Sequence, residues 1–111
     1  MELTNLITIH STEEFDKEIQ NSDAVFVDFY AERCGPCKMF APIVDQFAEN
    51  HADWKVLKID VDENEELARR YEVFSIPTQI IFVKGEIKFQ DVGVRSLEDL
   101  EDIIKGEDGT L

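Results

Sequence analysis

Cationic side chains are scarce in this sequence. Lysine and arginine together number 11, whereas aspartate and glutamate number 25, which gives a formal net charge of -14 at pH 7. A surface of that charge repels the phosphate backbone of nucleic acids, so we expect no nucleic-acid partner. The acidity either keeps the protein surface well hydrated or steers the protein toward basic patches on its partners.

The sequence also lacks a long apolar run. A membrane-spanning helix needs about 18 consecutive apolar residues, and no such stretch is present. The first four residues, Met1-Glu2-Leu3-Thr4, contain neither the positive region nor the apolar stretch of a signal peptide. We therefore expect a cytoplasmic protein with no membrane partner. The 111 residues, of which 43% are hydrophobic, suit one compact domain with one core.

Only two cysteines are present, Cys34 and Cys37. In a reducing compartment such a pair is more typical of a catalytic site than of a structural disulfide. A disulfide that closes so short a loop would also restrict little chain entropy. A structural zinc site needs four ligands, and the two histidines, His10 and His51, are not spaced as a ligand pair. We therefore expect no metal.

The spacing of apolar residues predicts strands that alternate with helices along the whole chain. Nearly continuous apolar runs indicate buried strands, and the last two runs, around Lys84-Gly85-Glu86, indicate a hairpin. The order β-α-β-α-β-α-β-β-α predicts an α/β fold, with one mixed sheet of about five strands and helices on both faces. Strands are predicted at 5–9, 24–30, 54–60, 78–83 and 87–92; helices are predicted to begin near Ser11, Cys34, Asp62 and Ser96, and the last to end at Gly106.

The cysteine pair lies where the second predicted strand passes into the second predicted helix. A helix N-terminus offers free N–H groups and the positive end of the helix dipole, which favour a thiolate at Cys34. Because the thiolate is the nucleophile of disulfide exchange, Cys34 is predicted to attack substrate disulfides. Cys37 lies one turn further into the helix and is expected to be more buried, so it is predicted to resolve the mixed disulfide.

Residues 27–38, which include Cys34-Gly35-Pro36-Cys37, closely resemble the active-site segment of the thioredoxin family. Residues 41–42, 58–62 and 76–78 are also similar. The resemblance covers nearly the whole chain and is strongest from about Val25 to Gly93. It implies the thioredoxin fold, with 1–111 as one domain, and the activity of a dithiol–disulfide oxidoreductase that reduces client proteins. It also implies a thioredoxin reductase as the electron donor. We expect a monomer without a cofactor.

The same resemblance implies roles for residues around the cysteines. Asp28, an acid in an otherwise apolar strand, is implied to be a buried proton acceptor beneath Cys37, with Lys58 beside it. A buried, unpaired carboxylate is costly, so its pKa is expected to rise or the group to find a partner; a position at the edge of the sheet, facing water, is the alternative. The implied substrate-binding residues are Arg33, Gly35, Pro36, Ile76, Pro77 and Gly93.

A cis Ile76–Pro77 bond is implied, where Ile76 would offer backbone hydrogen bonds to an extended substrate. A simple strand start is the alternative for Pro77. Arg33 departs from the family, which usually has tryptophan there. A cation beside Cys34 favours the thiolate, unless Arg33 points into water and is screened. Trp54, the one tryptophan, is expected to lie far from the cysteines.

Two other functions remain open from the sequence. One is that of a more oxidising relative with oxidase or isomerase duties, against which Gly35-Pro36 argues. The other is that of an interaction subunit with a thioredoxin fold, in which the redox chemistry is incidental. The simultaneous presence of Cys34, Cys37 and Asp28 with Pro77 argues against such a scaffold.

Overall fold

Strands and helices alternate in the computed structural model, which describes residues 3–107. This alternation confirms the predicted order of elements. Within these residues, no helix combines the length and apolarity that a membrane crossing requires. The elements are β1 (Leu6–Thr8), α1 (Thr12–Asn21), β2 (Ala24–Tyr30), α2 (Gly35–Asn50), β3 (Lys55–Asp60), α3 (Glu65–Arg70), β4 (Thr78–Val83), β5 (Glu86–Val92) and α4 (Leu97–Glu107).

The five strands form one mixed sheet in the order β1-β3-β2-β4-β5. β3 pairs in parallel with both β1 and β2, whereas β4 pairs antiparallel with β2 and β5. β2 is therefore the central strand. Its near-continuous apolar run follows from this place, because a central strand covered on both faces presents no side to water.

Two apolar layers cover the two faces of the sheet. On one face, Val27 of β2 packs in a buried cluster with Phe15 of α1 and Leu67 of α3. On the other face, Phe26 packs with residues of α2 and α4, among them Phe47. Side chains of a strand alternate between faces, so Asp28 shares its face with Phe26 and lies on the side of α2.

Several predicted element limits are wrong. β1 spans Leu6–Thr8 rather than 5–9, and β5 begins at Glu86 rather than at 87. Gly106 does not end α4, which continues to Glu107, since one glycine costs a helix only about 1 kcal/mol. The N-cap of α3 is Asn64 rather than Asp62; the buried Asn64 amide donates instead to the carbonyl of Asp60 (3.0 Å). Trp54 precedes β3 and packs in the core. The predicted caps Ser11 and Ser96 are confirmed.

Asn5 fastens the beginning of the chain to the end of α2. Its buried Nδ2 lies 2.9 Å from the carbonyl oxygen of Ala48, 3.1 Å from that of His51 and 3.0 Å from that of Trp54. Asn5→Ala removes this shared donor from the three carbonyls, of which, within residues 3–107, only that of His51 keeps another, the backbone N–H of Trp54, so we expect a loss of about 2–3 kcal/mol in the free energy of unfolding. Denaturation in guanidinium chloride measures it, with exposed Asn21→Ala as the control. Equal stability of the two variants would contradict the assignment.

Candidate active site

The two cysteines form a disulfide at the N-terminus of α2. Cys34 is the N-cap residue, and its Sγ accepts a hydrogen bond from the backbone N–H of Cys37 (3.1 Å). Gly35 and Pro36 occupy the first helical positions, where proline is favoured because its missing N–H has no partner in the helix. Both cysteines are largely buried, with 8% of Cys34 and 5% of Cys37 exposed. The predicted difference in burial is therefore slight.

The turn before β4 lies against the disulfide. The carbonyl oxygen of Ile76 is 3.8 Å from Sγ of Cys34, and the Ile76–Pro77 peptide bond is cis. Gly93, at a φ of 111° that favours glycine, donates its N–H to the carbonyl of Pro77 (2.9 Å). Four of the six predicted substrate-binding residues, Gly35, Pro36, Ile76 and Pro77, thus lie beside the cysteines, and a fifth, Gly93, is hydrogen-bonded to Pro77.

Asp28 and Cys37 line the same small cavity, of about 150 Å³. Asp28 belongs to the central strand and is only 2% exposed, so the alternative of a water-facing position at the edge of the sheet is wrong. Lys58 also lines the cavity and is the register partner of Asp28 on β3. Its Nζ lies 5.0 Å from the ring centroid of Tyr30, so a cation–π contact holds it near the carboxyl.

Burial raises the pKa of Asp28 from 3.8 to about 7. The positive charge of Lys58 lowers this pKa, and the negative charge of Asp45 on α2 raises it, but both effects are smaller than that of burial. No donor within residues 3–107 forms a hydrogen bond with the buried Oδ1. The carboxyl beside Cys37 therefore gains and loses its proton near neutral pH, as a general acid or base must.

Arg33 lies at the surface and is paired. Its Nη2 is 3.3 Å from Oδ1 of Asp62, and 69% of the arginine side chain is exposed. The ion pair links the loop before α2 to the loop after β3. The positive charge of Arg33 beside Cys34 is therefore partly neutralised by Asp62 and partly screened by water. This position favours the alternative in which Arg33 points into water and has little effect on Cys34.

Changes at this ion pair are expected to shift Cys34 reactivity in opposite directions. Arg33→Gln removes a cation and should slow alkylation of the reduced protein at pH 7 about twofold, whereas Asp62→Asn should accelerate it to a similar extent. Both effects should disappear in 1 M salt, which screens exposed charges beyond about 3 Å. Rates of iodoacetamide alkylation against pH measure this. Coincident curves for all three proteins at low salt would leave Arg33 as a neutral replacement.

Trp54 lies at the other end of α2 from the cysteines. Its backbone N–H donates to the carbonyl of His51, the C-cap residue, while Cys34 is the N-cap. A helix of 16 residues is roughly 24 Å long, so the predicted separation of Trp54 from the disulfide is confirmed.

Two residues of this region escaped the sequence interpretation. Phe74, two positions before Ile76, is 89% exposed, and nothing in its mostly apolar sequence neighbourhood distinguished it from a core residue. Gln79 is fully buried in β4. Its signal was the one that identified Asp28, a polar residue within an apolar run. Among residues 3–107, no group of three or more His, Cys, Asp or Glu side chains is arranged to hold a metal ion.

The arrangement is suited to one kind of chemistry. A dithiol three residues apart at a helix N-terminus is stabilised as a thiolate when reduced, and closes to a disulfide when oxidised. A carboxyl that titrates near neutrality shares a cavity with the second cysteine. The turn at Ile76 presents backbone to anything that reaches Cys34.

Comparison with known proteins gives the same result. The thioredoxin family model matches residues 6–106. A thioredoxin of Alicyclobacillus acidocaldarius is 46% identical over 88 residues, which are 78% of this chain and 84% of that protein. A thioredoxin of Mycoplasmoides gallisepticum is 38% identical over 92 residues, 83% of this chain and 92% of that protein.

Solved structures agree in fold. An N21Q mutant thioredoxin from Halobacterium salinarum superposes with a TM-score of 0.90 at 36% identity, covering 100% of this chain and 97% of that one. Oxidised mitochondrial thioredoxin 3 from Saccharomyces cerevisiae gives 0.84 at 32% identity, covering 94% and 97% of the two chains. The chain belongs to the thioredoxin family of dithiol–disulfide oxidoreductases.

Proposed function

We propose that this oxidoreductase works as a general reductase of protein disulfides and is itself re-reduced by a thioredoxin reductase. The observation that carries the proposal is the disulfide at the N-cap of α2, which has the Ile76 turn on one side and the Asp28 cavity on the other. The Ile76 turn offers a binding site for the client backbone, and Asp28 offers an acceptor for the proton that the reaction releases.

In the first step the thiolate of Cys34 attacks one sulfur of a client disulfide. A bond forms between Cys34 and that sulfur, and the other client sulfur leaves as a thiolate. The N-cap position supports this step: in the disulfide form the N–H of Cys37 donates to Sγ of Cys34 (3.1 Å), and the same donor is placed to stabilise the thiolate.

In the second step Cys37 resolves the mixed disulfide. Asp28 accepts the proton of the Cys37 thiol, and the resulting thiolate attacks Sγ of Cys34. The client sulfur that was bonded to Cys34 leaves as a thiolate, and the Cys34–Cys37 disulfide forms. Two electrons have then passed to the client, and the dithiol of the reductase restores them by the same exchange in reverse.

The groove between the cysteines and Gly93 is proposed to bind the client. The backbone of Ile76 offers hydrogen bonds to an extended client segment, and exposed Gly35 and Pro36 let its chain approach Cys34. Val92, which precedes Gly93 in the chain, is 50% exposed and adds apolar surface next to the groove. Backbone recognition of this kind is tolerant of sequence, which is what a general reductase needs.

The remaining assignments are proposals of the same kind. We propose that one domain spans 1–111 and acts as a monomer in the cytoplasm, with neither nucleic acid nor membrane as a partner. A net charge of -14 supports the exclusion of nucleic acid. A chain whose two cysteines both belong to the redox site fits a reducing compartment.

Reduction of insulin tests the proposal. The purified protein, with dithiothreitol or with NADPH and a thioredoxin reductase, is expected to precipitate the insulin B chain far faster than the reductant alone. A redox titration against glutathione should give a potential near the family value of about -270 mV. A potential near about -120 mV, as in strong oxidants, would support an oxidase instead. Full function of a double-cysteine variant would support an interaction subunit.

A further inference from the structure

Gln79 extends the polar surroundings of Asp28 across the sheet. Lys58 of β3, Asp28 of β2 and Gln79 of β4 are register partners in one row. Alternate residues of these strands, Val56, Phe26 and Ile81, pack together on the side of α2. The three polar residues therefore project from the same face of the sheet.

The orientation of the Gln79 amide is fixed by a backbone carbonyl. Its Nε2 donates to the carbonyl oxygen of Gly93 (2.7 Å), and a carbonyl oxygen can only accept, so the amide nitrogen must face Gly93. The amide oxygen, Oε1, is then directed elsewhere. It is buried and has no hydrogen-bond partner in the described part of the chain.

Asp28 also has a buried oxygen without a hydrogen-bond donor among the residues described. Its Oδ1 is buried and unpaired among residues 3–107, as Oε1 of Gln79 is. Side chains directly opposite on paired antiparallel strands have Cβ atoms about 5 Å apart, so these oxygens belong to neighbouring groups. Two acceptors side by side in an apolar interior repel each other unless a proton lies between them, and only a protonated Asp28 supplies that proton.

We propose that Gln79 is a positioning residue that joins the two halves of the site. Its amide oxygen accepts a hydrogen bond from the protonated carboxyl of Asp28, and its amide nitrogen holds the Gly93 carbonyl at the client groove. This inference rests on the proposed role of Asp28 as the acceptor of the Cys37 proton. It adds a partner that stabilises Asp28 after the proton has arrived.

Charged groups approach Asp28 from every element around it. Lys58 of β3 favours the carboxylate, whereas Asp45 of α2 opposes it. Lys38 of α2 and Glu32, from the loop before α2, line the cavity. On the far side of β4 from Asp28, Asp91 of β5 is the register partner of Gln79, and its charge is neutralised in an ion pair with Arg95. Gln79 is thus the neighbour through which β4 acts on Asp28, and it acts without a charge.

Proton occupancy of Asp28 and the groove are linked by this arrangement. When Asp28 is protonated, both ends of the Gln79 amide are satisfied, and Gly93 is held between Gln79 and Pro77. When Asp28 is ionised, its charge faces the amide oxygen and favours displacement of the amide. Proton transfer from Cys37 therefore tightens the groove at the moment of resolution.

The test is the titration of the Asp28 carboxyl in the oxidised protein, followed by ¹³C NMR. Use of the disulfide form removes cysteine titration and makes the result independent of reductase activity. Gln79→Met keeps the volume but removes the amide oxygen, so the midpoint should move down by about half a pH unit or more. Gln90→Met, at an exposed glutamine of β5 on the other face, should leave it unchanged.

The sign of the change is decisive. If Gln79 only held Gly93, its replacement by an apolar side chain would leave the midpoint unchanged or raise it, and either result would overturn the proposal. If Gln79→Met does not fold, a measurement on the unaltered protein tests the proposal instead. The side-chain carbonyl resonance of Gln79 should show an inflection at the Asp28 midpoint that Asp28→Asn abolishes. A flat Gln79 resonance in the unaltered protein would refute the hydrogen bond.

Discussion

Replacement of Cys34 with serine is expected to abolish insulin reduction, with a loss of roughly a thousandfold or more. The serine hydroxyl is not ionised at neutral pH and forms no bond with sulfur that disulfide exchange can break. Since Cys34 is the N-cap of α2, and serine is itself a good N-cap, the helix should keep its stability. Circular dichroism and thermal unfolding of the variant supply the control for folding.

Replacement of Cys37 with serine is expected to trap clients as mixed disulfides with Cys34. Cys34 remains reactive, but nothing in the site can release the client, so covalent complexes should accumulate. Non-reducing electrophoresis and mass spectrometry of the variant after exposure to oxidised insulin measure these complexes, and dithiothreitol should dissolve them. Catalytic turnover by Cys37→Ser at the rate of the unaltered protein would contradict the assignment of Cys37 as the resolving residue.

The sequence predicts the parts of the site that depend on local pattern. The apolar run of β2 predicts a buried strand, and the prediction succeeds because β2 is the central strand and is covered on both faces. The short spacing of Cys34 and Cys37 at a helix start predicts both the disulfide and its position at the N-cap. Asp28 stands out because a carboxyl interrupts that apolar run. In each case the determining contacts lie within a few residues of the feature.

What the sequence does not reveal depends on contacts between distant segments. Arg33 and Asp62 are 29 positions apart, and their pairing follows from how two loops meet at the end of the sheet. Gln79 becomes informative only when the antiparallel register of β4 and β2 places it opposite Asp28. Periodicity predicts that a strand exists, but it does not give the partner of each residue.

Asp28→Asn is expected to change the pH dependence of catalysis. At pH 7 and above, the ionised carboxyl accepts the proton of Cys37, and an amide does not. Resolution of the mixed disulfide should therefore slow about a hundredfold, the usual contribution of a general base. In the unaltered protein the rate should rise with pH through the Asp28 pKa of about 7. The variant should lack this rise, and superimposable profiles would remove Asp28 from the mechanism.

The same substitution is expected to stabilise the fold at alkaline pH. Below about pH 4, Asp28 is protonated in the folded and the unfolded chain, so its ionisation costs nothing. As the pH rises toward 7, the unfolded chain releases the proton while the folded chain retains it, and stability falls. Above the folded pKa of about 7 the full cost is on the order of 4 kcal/mol.

Asparagine escapes that cost and keeps a donor for the oxygen of Gln79, as the protonated acid does. We therefore expect Asp28→Asn to be more stable than the unaltered protein by about 2 kcal/mol or more at pH 8, after the cost of a buried amide. The advantage should be lost near pH 4, where Asp28 is protonated in the folded protein and only the cost of the buried amide remains, so that the variant should then be the less stable of the two. Urea unfolding of the oxidised proteins at both pH values measures this, with exposed Asp53→Asn as the control.

Together the two measurements distinguish a carboxyl that serves the reaction as a general base from one that is buried without a role in it. A group retained for the reaction should be costly to the fold and valuable to the rate, so its removal should stabilise the protein and slow resolution in the same pH range. Greater stability with an unchanged rate would mean that Asp28 burdens the fold without serving the reaction. Lower stability at pH 8 would mean that Lys58 compensates the carboxylate charge more strongly than burial penalises it.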